Sequence, residues 1–452
     1  MENITFEWRD EFSRQNIAQN IITLIDSPAE ISPFVIDGGW GTGKTEFSLK
    51  LCNLLKNEDK NSVVYIDAFK TDHANEPLLS VMAEILKLVP EKSGQRQRVI
   101  NKILPAVRFG LKASLKAGVS HILRQDTDKM LDEFDKDIQN ATDSAIEASV
   151  ESLLKSHIEA EASMNALQDT LRSISRQKPI VVIIDELDRC KPDYAVNMLE
   201  VIKHTFSVEN VQFLLVTNTK QLQASVEHCY GNRVAAEKYL DKFINYRLTL
   251  PKLLYNAIDD AGNSRSVSYV YYRKRVIESD VLQNTCLNGQ YREQFFNLAQ
   301  QALHCHDTSL RDVEAIVRHL EVLHTLNDQI INQDKIFGYS MLYLTAVLMA
   351  VLEPVTADKM LINQSTASEV GLLYGVPKIP ELEGQLRRRP KHYEVFTVLI
   401  AQECINSDIY IPSQENEQIW DEMINGMFQR GFRPDNTLRT VTEVIKHVQL
   451  HS

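Results

Sequence analysis

Residues 38–45 read Gly-Gly-Trp-Gly-Thr-Gly-Lys-Thr, a full match to the pattern G-x-x-x-x-G-K-[ST]. No other stretch restricts the fold as strongly, because the pattern works only between the end of a strand and the start of a helix. Gly38, Gly41 and Gly43 let the backbone curl so that successive N–H groups point inward at phosphate oxygens. Gly39, Trp40 and Thr42 complete the loop, and Glu46 follows it as a further candidate contact. Lys44 can reach the β- and γ-phosphates, and Thr45 offers a hydroxyl to Mg²⁺. The flanks fit. Ser32 to Asp37 ends in a short apolar run, as a buried parallel strand does. After the loop, Phe47, Leu49, Leu51, Leu54 and Leu55 recur at helical spacing. The pattern therefore predicts a triphosphate at a helix N-terminus, where free N–H groups and the helix dipole favour anions. A chance glycine turn would not bring these flanks.

A second motif lies far along the chain. Residues 179–190 read Pro-Ile-Val-Val-Ile-Ile-Asp-Glu-Leu-Asp-Arg-Cys. The β-branched run Ile180 to Ile184 predicts a central strand buried on both faces. Carboxylates directly after such a strand stand at its C-terminal end, where open α/β sheets bind ligands. Asp185 is placed to hold Mg²⁺ opposite Thr45. Glu186 is the candidate general base that polarises an attacking water. The plain alternative is a solvated turn, and it loses weight because Lys44 and Thr45 are on the same chain.

Composition narrows the class. The chain has 452 residues, 44% hydrophobic and 24% charged, which are ordinary globular values. Its net charge of −12 argues against coating nucleic acid through global charge, though not against a local patch. Six scattered cysteines without CxxC pairs read as reduced thiols. The segment Met1 to Trp8 has no apolar signal core, so the expected location is cytoplasmic. His304-Cys305-His306 invites a metal reading, but adjacent positions converge poorly on one ion, and a helix end is the better reading. Phe337 to Leu352 carries no charge, yet it is shorter than the ~20 residues a membrane span needs. It reads as a buried helix ended by Glu353-Pro354.

The pattern predicts an α/β fold: a parallel sheet flanked by helices, with a helical insertion and an all-helical C-terminal domain. The core is expected over residues 1–90 and 176–251. Ser62 to Asp67 is its second strand, Pro77 to Leu88 a helix, Val211 to Asn218 a further strand, and Arg247 to Pro251 the last. Asn218, at a strand end, is read either as a sensor of the γ-phosphate or as a cap of the next turn. The insertion covers residues 91–175. From Lys92 to Arg124 there are eight basic residues and no acidic ones, laid over an apolar helical stripe. Such a helix suits an anionic membrane surface, a partner groove or nucleic acid. The acidic, helically periodic stretch Asp126 to Glu161 supplies the alternative: two oppositely charged helices packed as an internal hairpin. Residues 252–452 show helical periodicity. Ser309 or Thr308 caps a helix whose buried face is Val313, Ile316, Val317 and Leu320. Arg311 lies in its first turn, a poor place for a cation unless it has an anionic partner.

These residues together resemble the KAP-family P-loop NTPases, which are related to the AAA+ and STAND groups. The resemblance rests on residues 38–45 with Trp40, on Val64 to Phe69, on Ile184-Asp185-Glu186-Leu187-Asp188-Arg189-Cys190, on Tyr239 to Ile244, on Leu250-Pro251, and on Ser309-Leu310-Arg311. Members of the family usually carry Asp-Asp where this chain has Asp185-Glu186, and glutamate should preserve hydrolysis. Many relatives insert membrane-spanning helices between the two motifs. Here Arg108, Lys112 and Lys116 make a span costly, so a soluble insertion with no transmembrane span is expected, with contact to a membrane surface through 92–124 still open. The resemblance implies that Asp188 and Arg189 belong to the nucleotide region. It implies that Lys242 stands where related proteins place a trans-acting finger, against the plainer reading of a surface lysine. It implies that Arg311 couples nucleotide state to the helical domain. The expected cofactors are ATP and Mg²⁺, and the expected partners are further copies of the chain or a separate effector protein. The expected activity is that of an ATPase switch or motor in prokaryotic antiviral defence. Two rivals remain: a non-hydrolysing scaffold whose oligomerisation nucleotide gates, and a nucleic-acid-stimulated translocase, which the acidic net charge disfavours.

Overall fold

The computed structural model describes residues 4–10, 12–89, 96–101, 162, 164–258, 264–327, 331–333, 335–381, 389–429 and 433–449. The chain divides into two compact units, Met1–Leu250 and Pro251–Ser452.

The first unit is built on five parallel strands in the order β2-β3-β4-β1-β5. These are β1 Phe34–Asp37, β2 Ser62–Asp67, β3 Ile180–Asp185, β4 Val211–Thr217 and β5 Tyr246–Thr249. Strand side chains alternate between faces, and the apolar ones divide accordingly. Phe34, Ile36, Val181, Ile183, Leu214 and Val216 pack with α1 (Gln15–Ile25) and α2 (Lys44–Glu58). Val35, Val182, Ile184, Phe213 and Leu215 pack on the other side with α3 (Pro77–Leu86), α4 (Pro192–Thr205) and α5 (Thr219–Tyr230). Every residue of β3 is buried, which is why Ile180 to Ile184 are continuously apolar instead of alternating. Register aligns the carboxyl ends: Asp37 pairs with Thr217 and Thr249, and Asp67 with Asp185. The polar groups of all five strand ends thus gather on one edge of the sheet.

Element boundaries shift slightly from the sequence reading. The last strand begins at Tyr246 and ends at Thr249, and Leu250 N–H then donates to Asp37 O at 3.1 Å. The helix from Pro77 ends at Leu86. The basic stretch 92–124 and the acidic stretch 126–161 lie outside the described residues apart from the helical 96–101. Residues 164–175 are helical, and Leu167 and Leu171 are buried in the same cluster as Val182 and Ile184. The packed core therefore reaches upstream of residue 176.

The second unit opens with a short antiparallel ribbon, β6 (Leu253–Ile258) with β7 (Ser264–Ser266), which the helical reading of 252–452 did not include. Leu253-Leu254-Tyr255-Asn256-Ala257-Ile258 does not alternate strictly between apolar and polar residues, and β7 has only three residues, so neither carries a period-two signal. Helices follow around one apolar cluster, including α6 (Val267–Glu278), α7 (Arg292–Cys305), α8 (Leu310–Leu326) and α9 (Phe337–Leu352). Ser309 and Asp312 form a capping box at the start of α8, and Val313, Ile316, Val317 and Leu320 are its buried face. Helix α9 is apolar because it is buried, with Met341, Leu342, Leu344, Val347 and Leu348 fully enclosed. Among the described residues no single helix is long and apolar enough to cross a membrane. Phe337–Leu352 and Pro354–Leu361 pass only as a pair bent by 118°. His304 and Cys305 end α7, His306 Nε2 lies 3.1 Å from Leu373 O, and no cluster of three or more metal-ligating side chains occurs among the described residues.

Candidate active site

The loop between β1 and α2 has the conformation its glycines allow. Gly41 and Gly43 take φ of +72° and +79°, the left-handed region that other residues enter at a cost. A Cβ at Gly38 would stand 2.8 Å from Thr42 Oγ1, so a side chain there would displace the loop's own hydroxyl. Thr42 Oγ1 in turn donates to Gly39 O at 2.9 Å. Lys44, 9% exposed, folds back over the loop and donates to Gly38 O at 2.6 Å and Gly39 O at 3.0 Å. Burial draws the pKa of its ammonium down, while Asp188, Asp185 and Asp37 oppose that shift. A buried cation beside a helix N-terminus is a site prepared for an anion.

Asp185 closes the opposite side. Its Oδ2 accepts from Tyr65 Oη at 2.8 Å and from Ser48 Oγ at 3.2 Å, and its Oδ1 accepts from the Glu186 N–H at 2.7 Å. The Thr45 side chain, like these donors, favours its ionised form. Burial pushes the Asp185 carboxyl above its usual range, and those four groups act against the shift. Thr45 and Asp185 therefore present two hard oxygens at one point. That donor set fits Mg²⁺, which takes one or two protein oxygens and completes its shell with phosphates and water.

Glu186 turns sharply out of β3 with φ +61°, a left-handed conformation uncommon for glutamate. Its carboxylate is 3.0 Å from Arg189 Nη2. Burial raises its pKa, Arg189 opposes the rise, and Asp185 adds to it. Two residues on, Asp188 is 6% exposed. Its Oδ2 accepts from Trp40 Nε1 at 2.8 Å, and its Oδ1 accepts from Thr217 Oγ1 at 3.3 Å. One carboxylate thus ties the loop, the turn after β3 and the end of β4.

The other candidates are placed differently. Asn218 Oδ1 accepts from Lys220 N–H at 3.1 Å and caps α5, while Thr219 N–H donates to Asp37 at 2.9 Å. Glu46 is engaged by Arg9 at 2.6 Å and Lys50 at 2.7 Å. Burial raises its pKa, and hydrogen bonds from those two cations hold it below the ordinary value. Lys242 is exposed in the turn before β5, with Nζ 5.4 Å from the Tyr239 ring centre. Arg311 lies exposed in the first turn of α8, in the second unit. Sequence reasoning gave no role to Tyr65 or Ser48. Only strand register points to Tyr65, which sits beside Ile183 one pleat before Asp185.

Residues 14–327, more than half of the chain, match the family model described as "KAP family P-loop domain". No curated protein matches the chain.

Proposed function

The chain belongs to the KAP family of P-loop domains, and from that premise we propose that it is a Mg²⁺-dependent ATPase acting as a switch or motor. Nucleotide binding by an NTPase fold follows from the family. Hydrolysis, the choice of ATP and the biological role are our reading. One observation carries it: Asp185 is hydrogen-bonded directly to Ser48 of the helix that starts at Lys44, so the two halves of the site are already joined. In this reading the loop amides and Lys44 hold the phosphates. Thr45 and Asp185 are the residues that would hold Mg²⁺, which supplies charge neutralisation at the β- and γ-oxygens. Glu186 takes a proton from water as that water attacks the γ-phosphorus and the bond to the diphosphate breaks. The Arg189 guanidinium orients the Glu186 carboxylate.

Asn218 is a cap in this state, and a sensing role for it would require that cap to open. Glu46 serves the helix behind the loop through Arg9 and Lys50. Exposure of Lys242 just before β5 supports a role across a contact between copies, where a cation neutralises transition-state charge. Arg311 is proposed to link nucleotide state to the helical unit, supported by its family motif alone. Resemblance to prokaryotic phage-exclusion relatives supports an antiviral role through an effector protein, and six free thiols favour the cytoplasm.

A second reading is favoured by the Arg189–Glu186 ion pair, which occupies the base. In it, nucleotide gates assembly without turnover. Phosphate release and nucleotide binding by the wild type and Glu186→Gln separate the two. The ATPase reading expects the variant to bind normally and to lose at least about 100-fold in turnover, the usual contribution of a general base. A wild type that binds ATP but releases no phosphate would leave only the gating reading.

A further inference from the structure

Apart from Lys44, Trp40 is the one large side chain in a loop otherwise made of glycine and threonine. It is 52% exposed, yet its indole is not idle: Nε1–H donates to Asp188 Oδ2 at 2.8 Å. An indole nitrogen is a donor only, so its partner must be an acceptor, and an anion serves best. Asp188 is 6% exposed and spends its other oxygen on Thr217. It is also the leading carboxylate among those that attract Lys44.

The position of this bond identifies the end of the cradle it serves. Asp188 lies in the short turn Leu187–Arg189, directly after Glu186. The candidate base must face the attacked phosphorus, so this turn borders the terminal phosphate and not the nucleoside. A terminal phosphate entering there competes with Asp188 for Lys44, and it offers fresh anionic oxygens to the only side-chain N–H the loop possesses apart from Lys44. Because half of the ring is exposed, the indole can turn without giving up core packing.

We propose that Trp40 is the residue by which this site tells a triphosphate from a diphosphate, its N–H passing from Asp188 to the terminal phosphate when one is present. With a diphosphate the N–H stays on Asp188 and the turn carrying Glu186 stays latched to the loop. With a triphosphate the latch opens, and the turn is free to bring Glu186 to water. The inference rests on the nucleotide-binding reading above and does not require turnover.

Calorimetric titration of the wild type and Trp40→Phe with Mg·AMP-PNP and with Mg·ADP tests it. Phenylalanine keeps the ring and removes the donor. The expected result is a loss of about tenfold in affinity for the triphosphate analogue, equivalent to about 1.4 kcal/mol, with ADP affinity unchanged. Retained ADP binding also shows that the variant is folded. A variant with the wild-type ratio of the two affinities, or one weakened equally toward both, overturns the role of Trp40 while nucleotide binding by the wild type still stands. A wild type that binds neither nucleotide overturns both readings.

Discussion

The two units bury different things. Among the described residues, the first unit encloses Arg14, Lys44, Lys50, Asp185 and Asp188, whereas the second encloses a single charged side chain, Glu394. Burying charge is costly unless each group is paired. Three of the five in the first unit, Lys44, Asp185 and Asp188, stand at one edge of the sheet, held by hydroxyls, an indole and backbone groups from distant segments. The second unit spends its interior on one continuous apolar cluster from Tyr269 to Val448. One unit keeps a polar site under tension and the other is packed for cohesion. Disturbing each should therefore be read out differently.

Of the changes that set the two units against each other, the largest effect is expected at Tyr65. Tyr65→Phe deletes the hydroxyl that fixes Asp185, a partner of the kind whose loss typically costs about 10–100-fold in metal affinity. The Mg²⁺ dependence of nucleotide binding should shift by that order, and the thermal midpoint should barely move. An unchanged Mg²⁺ requirement would mean that strand geometry alone positions Asp185. In the second unit the sensitive quantity is stability. A Cβ at Gly338 would lie 2.5 Å from the fully buried Phe428 ring. Gly338→Ala should cost about 1–3 kcal/mol by overpacking, measured by urea unfolding, with nucleotide affinity intact. Equal loss of both would show that the units are not separable. The smallest effect is expected at Ser309, where Ser309→Ala breaks the capping box for about 1 kcal/mol. A change in nucleotide affinity there would contradict a purely structural cap.

Local chemistry was legible, and long-range chemistry was not. The loop, β3 and its carboxylates could be read because glycine spacing and a continuous β-branched run are signals within a few residues. The buried face of α8 and its Ser309 cap were readable for the same reason. Tyr65 and Ser48 were not, because their bonds to Asp185 join positions 120 and 137 residues apart. The Trp40–Asp188 bond spans 148 residues and has no periodicity to betray it. Asn218 shows a different limit: a polar residue ending a strand fits a cap and a sensor equally well until the helix after it is seen.

The placement of β1 sets a schedule for the chain's synthesis. Its two neighbours in the sheet are β4 and β5, drawn from residues 211–217 and 246–249. The strand that opens the phosphate loop therefore leaves the ribosome without a partner. At 5–20 residues per second it waits roughly 10–40 s before β4 emerges. During that interval Phe34, Val35 and Ile36 are an unpaired apolar edge of the sort that invites aggregation. Nucleotide can engage only after β4 and β5 have closed around β1, and from then on it stabilises the finished unit by mass action. Besides anything it does in the mature protein, the ligand would thus discriminate a completed first unit from an interrupted one.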